Sequence, residues 1–192
     1  MTDIVEAKKA VRREARRRMK AETTVADANA VFATIESLDC FANASAVMLY
    51  SSLPGELETD EVILRWLSAG KRVFLPRVND KDLDVVEVEA CEGCLIGMRV
   101  TEPYGICEPE GVSCDASILD LVIVPALAYD RRCKRLGRGG GFYDRFLSSV
   151  DATTIGVVID GNLYDRLPVE GHDMAVDYVV TPTTIVKNEN QQ

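Results

Sequence analysis

A single histidine and a shortage of positive charge stand out first. The 192 residues carry 22 Lys and Arg against 31 Asp and Glu, a formal net charge of −9. An acidic surface of this kind argues against non-specific nucleic-acid binding. With His172 as the sole histidine, the chain offers no Ser-His-Asp or Cys-His signature. His172 reads as a loop residue and not as a catalytic base. No apolar run is long enough to span a bilayer, and the first residues lack the apolar stretch of a secretory signal. A cytoplasmic chain with no membrane partner is therefore expected. Internal repeats, low-complexity tracts and a credible interdomain linker are also missing.

Two phosphate-binding fingerprints are absent as well. The only Gly-Lys pair is Gly70-Lys71, followed by Arg72, so there is no P-loop. A dinucleotide turn fails on spacing, because its third glycine position falls on Phe142 when counted from Gly137 and on Asp144 when counted from Gly139. Six cysteines are present, but a domain of this size in a reducing compartment does not need disulfides. Cys91-Glu92-Gly93-Cys94 has metal-ligand spacing, yet Cys107 and Cys114 do not form the second compact pair of a zinc site. The other reading is a turn at Glu92-Gly93 between two extended segments, with small, partly buried thiols. Disulfide formation and redox sensing stay open at this point.

What is present is a chain with 47% hydrophobic and 28% charged residues, enough for one globular domain with a full core. Its most distinctive stretch is Arg135-Leu-Gly-Arg138-Gly139-Gly140-Gly141-Phe142-Tyr143-Asp144-Arg145. Consecutive glycines let backbone N–H groups approach a ligand, and a helix beginning at Phe142 would favour negative charge at its start. This reads as an anion-binding loop for phosphate. A flexible surface turn is the plainer alternative for three glycines alone.

The positive residues are clustered. Residues 1–20 hold eight of the 22, and residues 131–145 hold six more, with only Asp3, Glu6, Glu14 and Asp144 as acids among them. Two such clusters could converge on a small polyanion. Ile4, Val11, Ala15 and Met19 share one face of a predicted helix from about 3 to 20, on which Lys8 and Arg12 stand four residues apart. The alternative for those two is a solvated basic face.

Further helices are predicted at 24–38, 59–69 and 142–150. Strands are predicted at 46–50, 72–78, 83–88, 121–125, 154–159 and 178–181, with 121–125 the strongest buried-strand signal. The alternation gives an α/β fold of one domain over residues 1–192, with a short flexible tail from about 186 to 192. The glycine loop follows a core strand, where open α/β sheets place ligands beyond the strand ends.

An ordered set of segments from Lys8 to Asp177 resembles a known family. It comprises Lys8-x-x-Val11-Arg12, Tyr50-Ser-Ser-Leu53-Pro-Gly-Glu56-Leu-Glu58-Thr59, Phe74-Leu-Pro76-Arg77 and Tyr104-Gly-Ile-Cys-Glu-Pro109. Val124-Pro-Ala-Leu-Ala-Tyr129-Asp130, the Arg135–Arg145 loop and His172-Asp173-Met-Ala-Val-Asp177 complete it. The set is similar to the 5-formyltetrahydrofolate cyclo-ligases, also called 5,10-methenyltetrahydrofolate synthetases. Phe142 stands where Tyr is common in that family, Tyr104 where some members have Trp, and Gly140 where some have Lys.

The resemblance implies a layered α/β/α fold with a mostly parallel open sheet. It also implies ATP-dependent, Mg²⁺-dependent cyclisation of 5-formyltetrahydrofolate to 5,10-methenyltetrahydrofolate, with release of ADP and phosphate. The expected partners are ATP and the folate, with or without a polyglutamate tail, and the expected state is a monomer or weak dimer. By residue, it implies ATP contacts from Lys8, Arg12, Arg135, Gly137, Arg138, Gly139, Gly140, Gly141, Phe142 and Tyr143. Substrate contacts are implied for Leu53, Glu58, Tyr104, Arg138 and Phe142, metal ligation for Asp144 and Asp173, and catalysis for Arg138 and Asp144.

Taken singly, each residue keeps a structural reading. Asp144 and Arg145 could charge the first turn of a helix, and Glu58 could favour a helix start. Leu53 could be core, Tyr104 a strand edge and Asp173 part of an acidic loop. A sugar-phosphate isomerase on a related sheet and a catalytically silent binding domain remain the alternatives by class.

Overall fold

A strand such as Leu121-Val-Ile-Val-Pro125, without one polar side chain, must be covered on both faces, and the rest of the chain supplies the cover. The computed structural model describes residues 2–101, 105–170 and 173–189. Tyr104 and His172 therefore lie outside the described residues.

The chain opens with helices α1 (Thr2–Glu22), α2 (Val25–Glu36) and α3 (Asp39–Asn43), then strand β1 (Ala46–Met48) and helix α4 (Asp60–Ser68). Strands β2 (Arg72–Asn79), β3 (Asp82–Cys91), β4 (Cys94–Ile96), β5 (Met98–Thr101), β6 (Ile106–Pro109), β7 (Ser113–Cys114), β8 (Leu121–Pro125), β9 (Ala128–Asp130) and β10 (Arg135–Leu136) follow. Helix α5 (Phe142–Leu147) and strands β11 (Thr153–Val157), β12 (Leu163–Tyr164), β13 (Tyr178–Val180) and β14 (Ile185–Lys187) complete the order.

Among the described residues nine strands form the main sheet, in the order β14-β13-β11-β8-β1-β2-β3-β4, with β7 paired to β3. The central strands β13, β11, β8, β1 and β2 are parallel. β14 and β3 add antiparallel flanks. Helices α2, α3 and α4 cover one face, where Phe32, Ile35, Phe41, Ile63 and Trp66 pack with Val47, Leu49, Leu121 and Ile123. On the other face Phe146 and Leu147 of α5 pack with Met48, Phe74, Val122, Val124 and Tyr129. The architecture is thus layered α/β/α with a mostly parallel open sheet, although the second helical layer is thin.

Helix α1 belongs to neither layer. Its buried Ala15 and Met19 pack on Leu127, Ala128, Leu136 and Leu167, the region of the small sheet β10-β9-β12. No described helix is long and apolar enough to cross a membrane.

Local chemistry sets several boundaries. Thr24 caps α2 in a reciprocal capping box with Asp27. Thr59 precedes α4 without a side-chain cap. Its hydroxyl instead donates to the Tyr50 carbonyl at 2.7 Å and accepts the Ser52 N–H at 3.2 Å, which pins the loop after β1.

Several expectations are corrected. Helix α5 ends at Leu147 rather than Val150, and α3 occupies residues beyond the predicted end of α2. Residues 186 and 187, placed in the tail by sequence, belong to β14 (Ile185–Lys187), and the Asn188 side chain bonds the Val176 carbonyl. Cys91 and Cys94 face each other across a two-residue hairpin turn at Glu92-Gly93. The turn is as expected, but both thiols are exposed rather than partly buried. The positive φ of Glu92 and Gly93 (51° and 79°) turns the hairpin at its tip.

Gly156 in β11 marks the tightest packing in the sheet. A Cβ there would lie 2.3 Å from the Tyr129 ring, and that ring is fully buried with its hydroxyl donating to the Val124 carbonyl at 3.0 Å. Gly156→Ala is therefore expected to cost roughly 1–3 kcal/mol through overpacking, lowering the melting temperature by about 2–12 °C. Thermal denaturation followed by circular dichroism checks this, and an unchanged transition would mean the Tyr129 ring can move aside.

Candidate functional site

In an open parallel sheet the loops on either side of a topological switch diverge to opposite faces and leave a crevice at the strand ends. Here the switch lies between β1 and β8. The chain leaving β1 runs through residues 51–59 to α4 on one face. The chain leaving β8 runs through β9, β10 and the glycine loop to α5 on the other. The two loops meet through Arg138 and Glu56, whose Oε1 accepts Arg138 Nη2 at 2.6 Å and Nε at 3.1 Å. Beneath them Met19, Tyr50, Pro125, Ala126 and Val157 line a small cleft at the strand ends.

Helix α1 closes the crevice from above. Arg12 Nε donates to the Gly137 carbonyl at 3.0 Å, and Arg16 Nη2 donates to the Arg138 carbonyl at 3.3 Å. The Arg12 guanidinium also lies about van der Waals distance from where a Gly139 Cβ would sit, 3.8 Å. Among the described residues neither arginine is in an ion pair, so both bring positive charge to the loop without an acid to neutralise it. The predicted convergence of the two basic clusters is thus present in the fold.

The loop's conformation depends on glycine. Gly139 and Gly141 have φ of +109° and +72°, and Gly141 serves as the N-terminal flank of α5. Gly137 has a different reason, because a Cβ there would lie 2.5 Å from Arg135 Nη1. Arg135 thus runs directly beneath the loop. It is almost buried and pairs with Asp144 at 2.8 Å, and its guanidinium lies 5.7 Å from the centre of the Tyr143 ring.

Several residues expected as direct phosphate or metal contacts are placed otherwise. Arg135 props the loop from below, and the Tyr143 hydroxyl is buried without a hydrogen-bond partner among the described residues. Burial first, then the nearby Glu56 charge, pushes the Tyr143 phenol above its ordinary pKa even though Arg135 pulls the other way. Lys8 is buried, and its Nζ lies 2.7 Å from both Glu170 Oε2 and Asp173 Oδ2. Burial alone would lower its pKa, but the hydrogen bonds and charges of Asp173 and Glu170 outweigh it and raise the value. Two of the three N–H donors of Lys8 are thereby engaged by carboxylates.

Asp144 and Asp173, expected as a magnesium pair, serve different cations. Lys134 donates to the Asp173 carbonyl at 3.0 Å while its neighbour Arg135 pairs with Asp144. Among the described residues no group of three or more His, Cys, Asp and Glu side chains could enclose a metal. Asp144 is a quarter exposed and engages Arg135 through Oδ1, so Oδ2 can serve as a single oxygen ligand. Magnesium is commonly held by one or two carboxylates together with substrate phosphates. Asp144 keeps Oδ2 for such a role, whereas the Asp173 carboxylate is engaged by Lys8.

On the other side of the crevice Leu53 is half-buried and Glu58 exposed. Phe142 is half-buried at the start of α5, with the Arg145 guanidinium 5.4 Å from its ring centre. Sequence reasoning missed Glu56, Arg16 and Glu170. Glu56 sat inside a quoted motif beside Glu58, and its following Leu57, buried in the core, was the local sign that this loop turns inward.

Known proteins resemble this chain over most of its length. A 5-formyltetrahydrofolate cyclo-ligase from Mycolicibacterium smegmatis is 45% identical over 136 residues, covering 68% of this chain and 69% of that protein. The cyclo-ligase from Escherichia coli is 34% identical over 149 residues, covering 74% and 80%. The NMR structure of a 5,10-methenyltetrahydrofolate synthetase from Aquifex aeolicus superposes with a TM-score of 0.84 at 26% identity, covering 96% of this chain and 94% of the other. Residues 5–182 match the 5-formyltetrahydrofolate cyclo-ligase family, and the chain belongs to that family.

Proposed function

We propose that this protein converts 5-formyltetrahydrofolate and ATP to 5,10-methenyltetrahydrofolate, ADP and phosphate. The observation that carries this reading is the junction of Arg12, Arg16 and Arg138 on a glycine loop at the sheet's switch point, in a chain of this family.

The formyl oxygen attacks the γ-phosphorus of ATP, and ADP leaves. N10 then adds to the activated formyl carbon, phosphate departs with the former formyl oxygen, and loss of the N10 proton leaves the methenyl bridge. Neither step calls for a protein nucleophile. Both call for positioning and for charge stabilisation of the transferred group.

In this reading the N–H groups of Gly139, Gly140 and Gly141 and the guanidinium groups of Arg12 and Arg138 hold the phosphates. Arg138 also faces the group in transfer. Arg135, beneath Gly137, keeps the loop in shape and orients Asp144. Asp144 is the residue suited to Mg²⁺, which when bound would offset phosphate charge. Leu53 and Phe142 offer apolar surface to the folate, and Glu58 can accept hydrogen bonds from the pterin.

The direct test is an assay of methenyl formation at its absorbance band with ATP and Mg²⁺ supplied or withheld. Turnover is expected only with both, with one ADP per product. Product at the same rate without nucleotide would overturn the reading. Asp144→Asn preserves shape but removes charge, and is expected to lower turnover by about 10²-fold or more. Full activity across a magnesium titration would leave Asp144 as a partner of Arg135 only.

The two sides of the crevice are separable by calorimetry. Arg12→Ala is expected to weaken ATP binding roughly ten- to hundred-fold with little effect on the folate, and Glu58→Gln the reverse. Equal loss of both ligands in both variants, at unchanged melting temperature, would show that this division is wrong.

A further inference from the structure

Arg138 is 44% exposed at its side chain, yet it is held by a carboxylate that is only 8% exposed. The geometry of that carboxylate explains why. Leu53-Pro54-Gly55-Glu56 is a turn closed by the Glu56 N–H on the Leu53 carbonyl at 2.9 Å, with Pro54 second and Gly55 third at φ +89°. That is the residue pattern of a type II turn. The turn is docked on the end of α1. A Gly55 Cβ would lie 3.5 Å from the Lys20 backbone, and the Thr23 hydroxyl donates to the Gly55 carbonyl at 3.0 Å.

Both oxygens of Glu56 are used. Oε2 accepts the Leu53 N–H at 3.0 Å, and Oε1 accepts Nε and Nη2 of Arg138. A buried carboxylate that loses its cation is left uncompensated in a poorly solvated place, so this arginine is not free to swing. The bonds take only the Nε–Nη2 edge of a rigid, planar fork. The Nη1 side remains directed away from Glu56 and available to an anion.

We propose that Glu56 is a positioning residue for phosphoryl transfer, fixing Arg138 so that its outer guanidinium edge meets the transferred group, and joining that edge to the Leu53 loop on the folate side. This rests on the cyclo-ligase reading above.

The test is a double-mutant cycle in kcat and KM using the intact protein, Glu56→Gln, Arg138→Ala and the double variant. Glutamine keeps a carbonyl oxygen for the Leu53 N–H but gives up the charge that holds Arg138. Glu56→Gln is expected to lower kcat about ten- to hundred-fold, with KM for 5-formyltetrahydrofolate within about threefold of wild type. In the Arg138→Ala background it is expected to have no further effect on kcat, because its target is gone.

Equal losses in both backgrounds, or unchanged kcat in Glu56→Gln, would overturn the role. If Glu56→Gln does not fold by circular dichroism, Glu56→Asp keeps the charge with a shorter reach and runs through the same cycle with the same criterion. A wild type without ATP-dependent turnover takes down both readings, whereas an active wild type with an additive cycle removes only the role of Glu56.

Discussion

The Asp130 carboxylate holds together the half of the molecule that carries the glycine loop. It is fully buried, and its two oxygens accept the backbone N–H groups of Arg132, Lys134 and Leu167 at 2.9–3.0 Å and the Arg132 guanidinium at 2.8 Å. The first two bonds form the corner between β9 and β10, out of which the loop emerges. The third fixes the segment that leads to Glu170 and Asp173. A buried acid with this many donors has its hydrogen-bonding capacity met, and one side chain thereby sets both the loop's origin and the position of Lys8's partners. Asn162 works alongside it, donating to the Ala15 carbonyl of α1 at 3.1 Å and to the Leu127 carbonyl at 2.9 Å.

An acidic protein that gathers phosphate must separate its charges by place. Four of the acids around the crevice are assigned to particular cations: Glu56 to Arg138, Asp144 to Arg135, and Glu170 with Asp173 to Lys8. Arg12 and Arg16 are different because their partners are backbone carbonyls. A carbonyl orients a guanidinium without cancelling its charge, so the field at the loop remains positive while the whole molecule carries −9. Helix α5 has only six residues, and the arginines rather than its dipole are the main source of that field.

The elements legible in sequence were those whose pattern is local and long enough to repeat. The stripe through Val11, Ala15 and Met19 gave α1, and the apolar run Leu121–Pro125 gave β8. The strands β9, β10 and β12 have two or three residues each, too few for a period to emerge, and pairing decides them. The glycine loop and Glu58 were visible as chemistry, but the burial of Arg135 was not. Its only trace was Gly137, a position where any Cβ would meet that arginine. Likewise the capture of Lys8 by Glu170 and Asp173 joins residues about 160 positions apart, and spacing within a helix does not report such pairing.

That separation bears on how the protein comes to be made. Helix α1 leaves the ribosome more than 100 residues ahead of its burial partners Leu127, Leu136 and Leu167 and its contacts at Asn162, Glu170 and Asp173. At the elongation rates of about 5–20 residues per second it waits several seconds with Ala15 and Met19 uncovered while the central strands assemble. Its seven-residue run Arg12-Arg13-Glu14-Ala15-Arg16-Arg17-Arg18, five arginines against one glutamate, keeps such a waiting helix hydrated and net positive. The segment that closes the crevice is therefore translated well before the residues on which it docks.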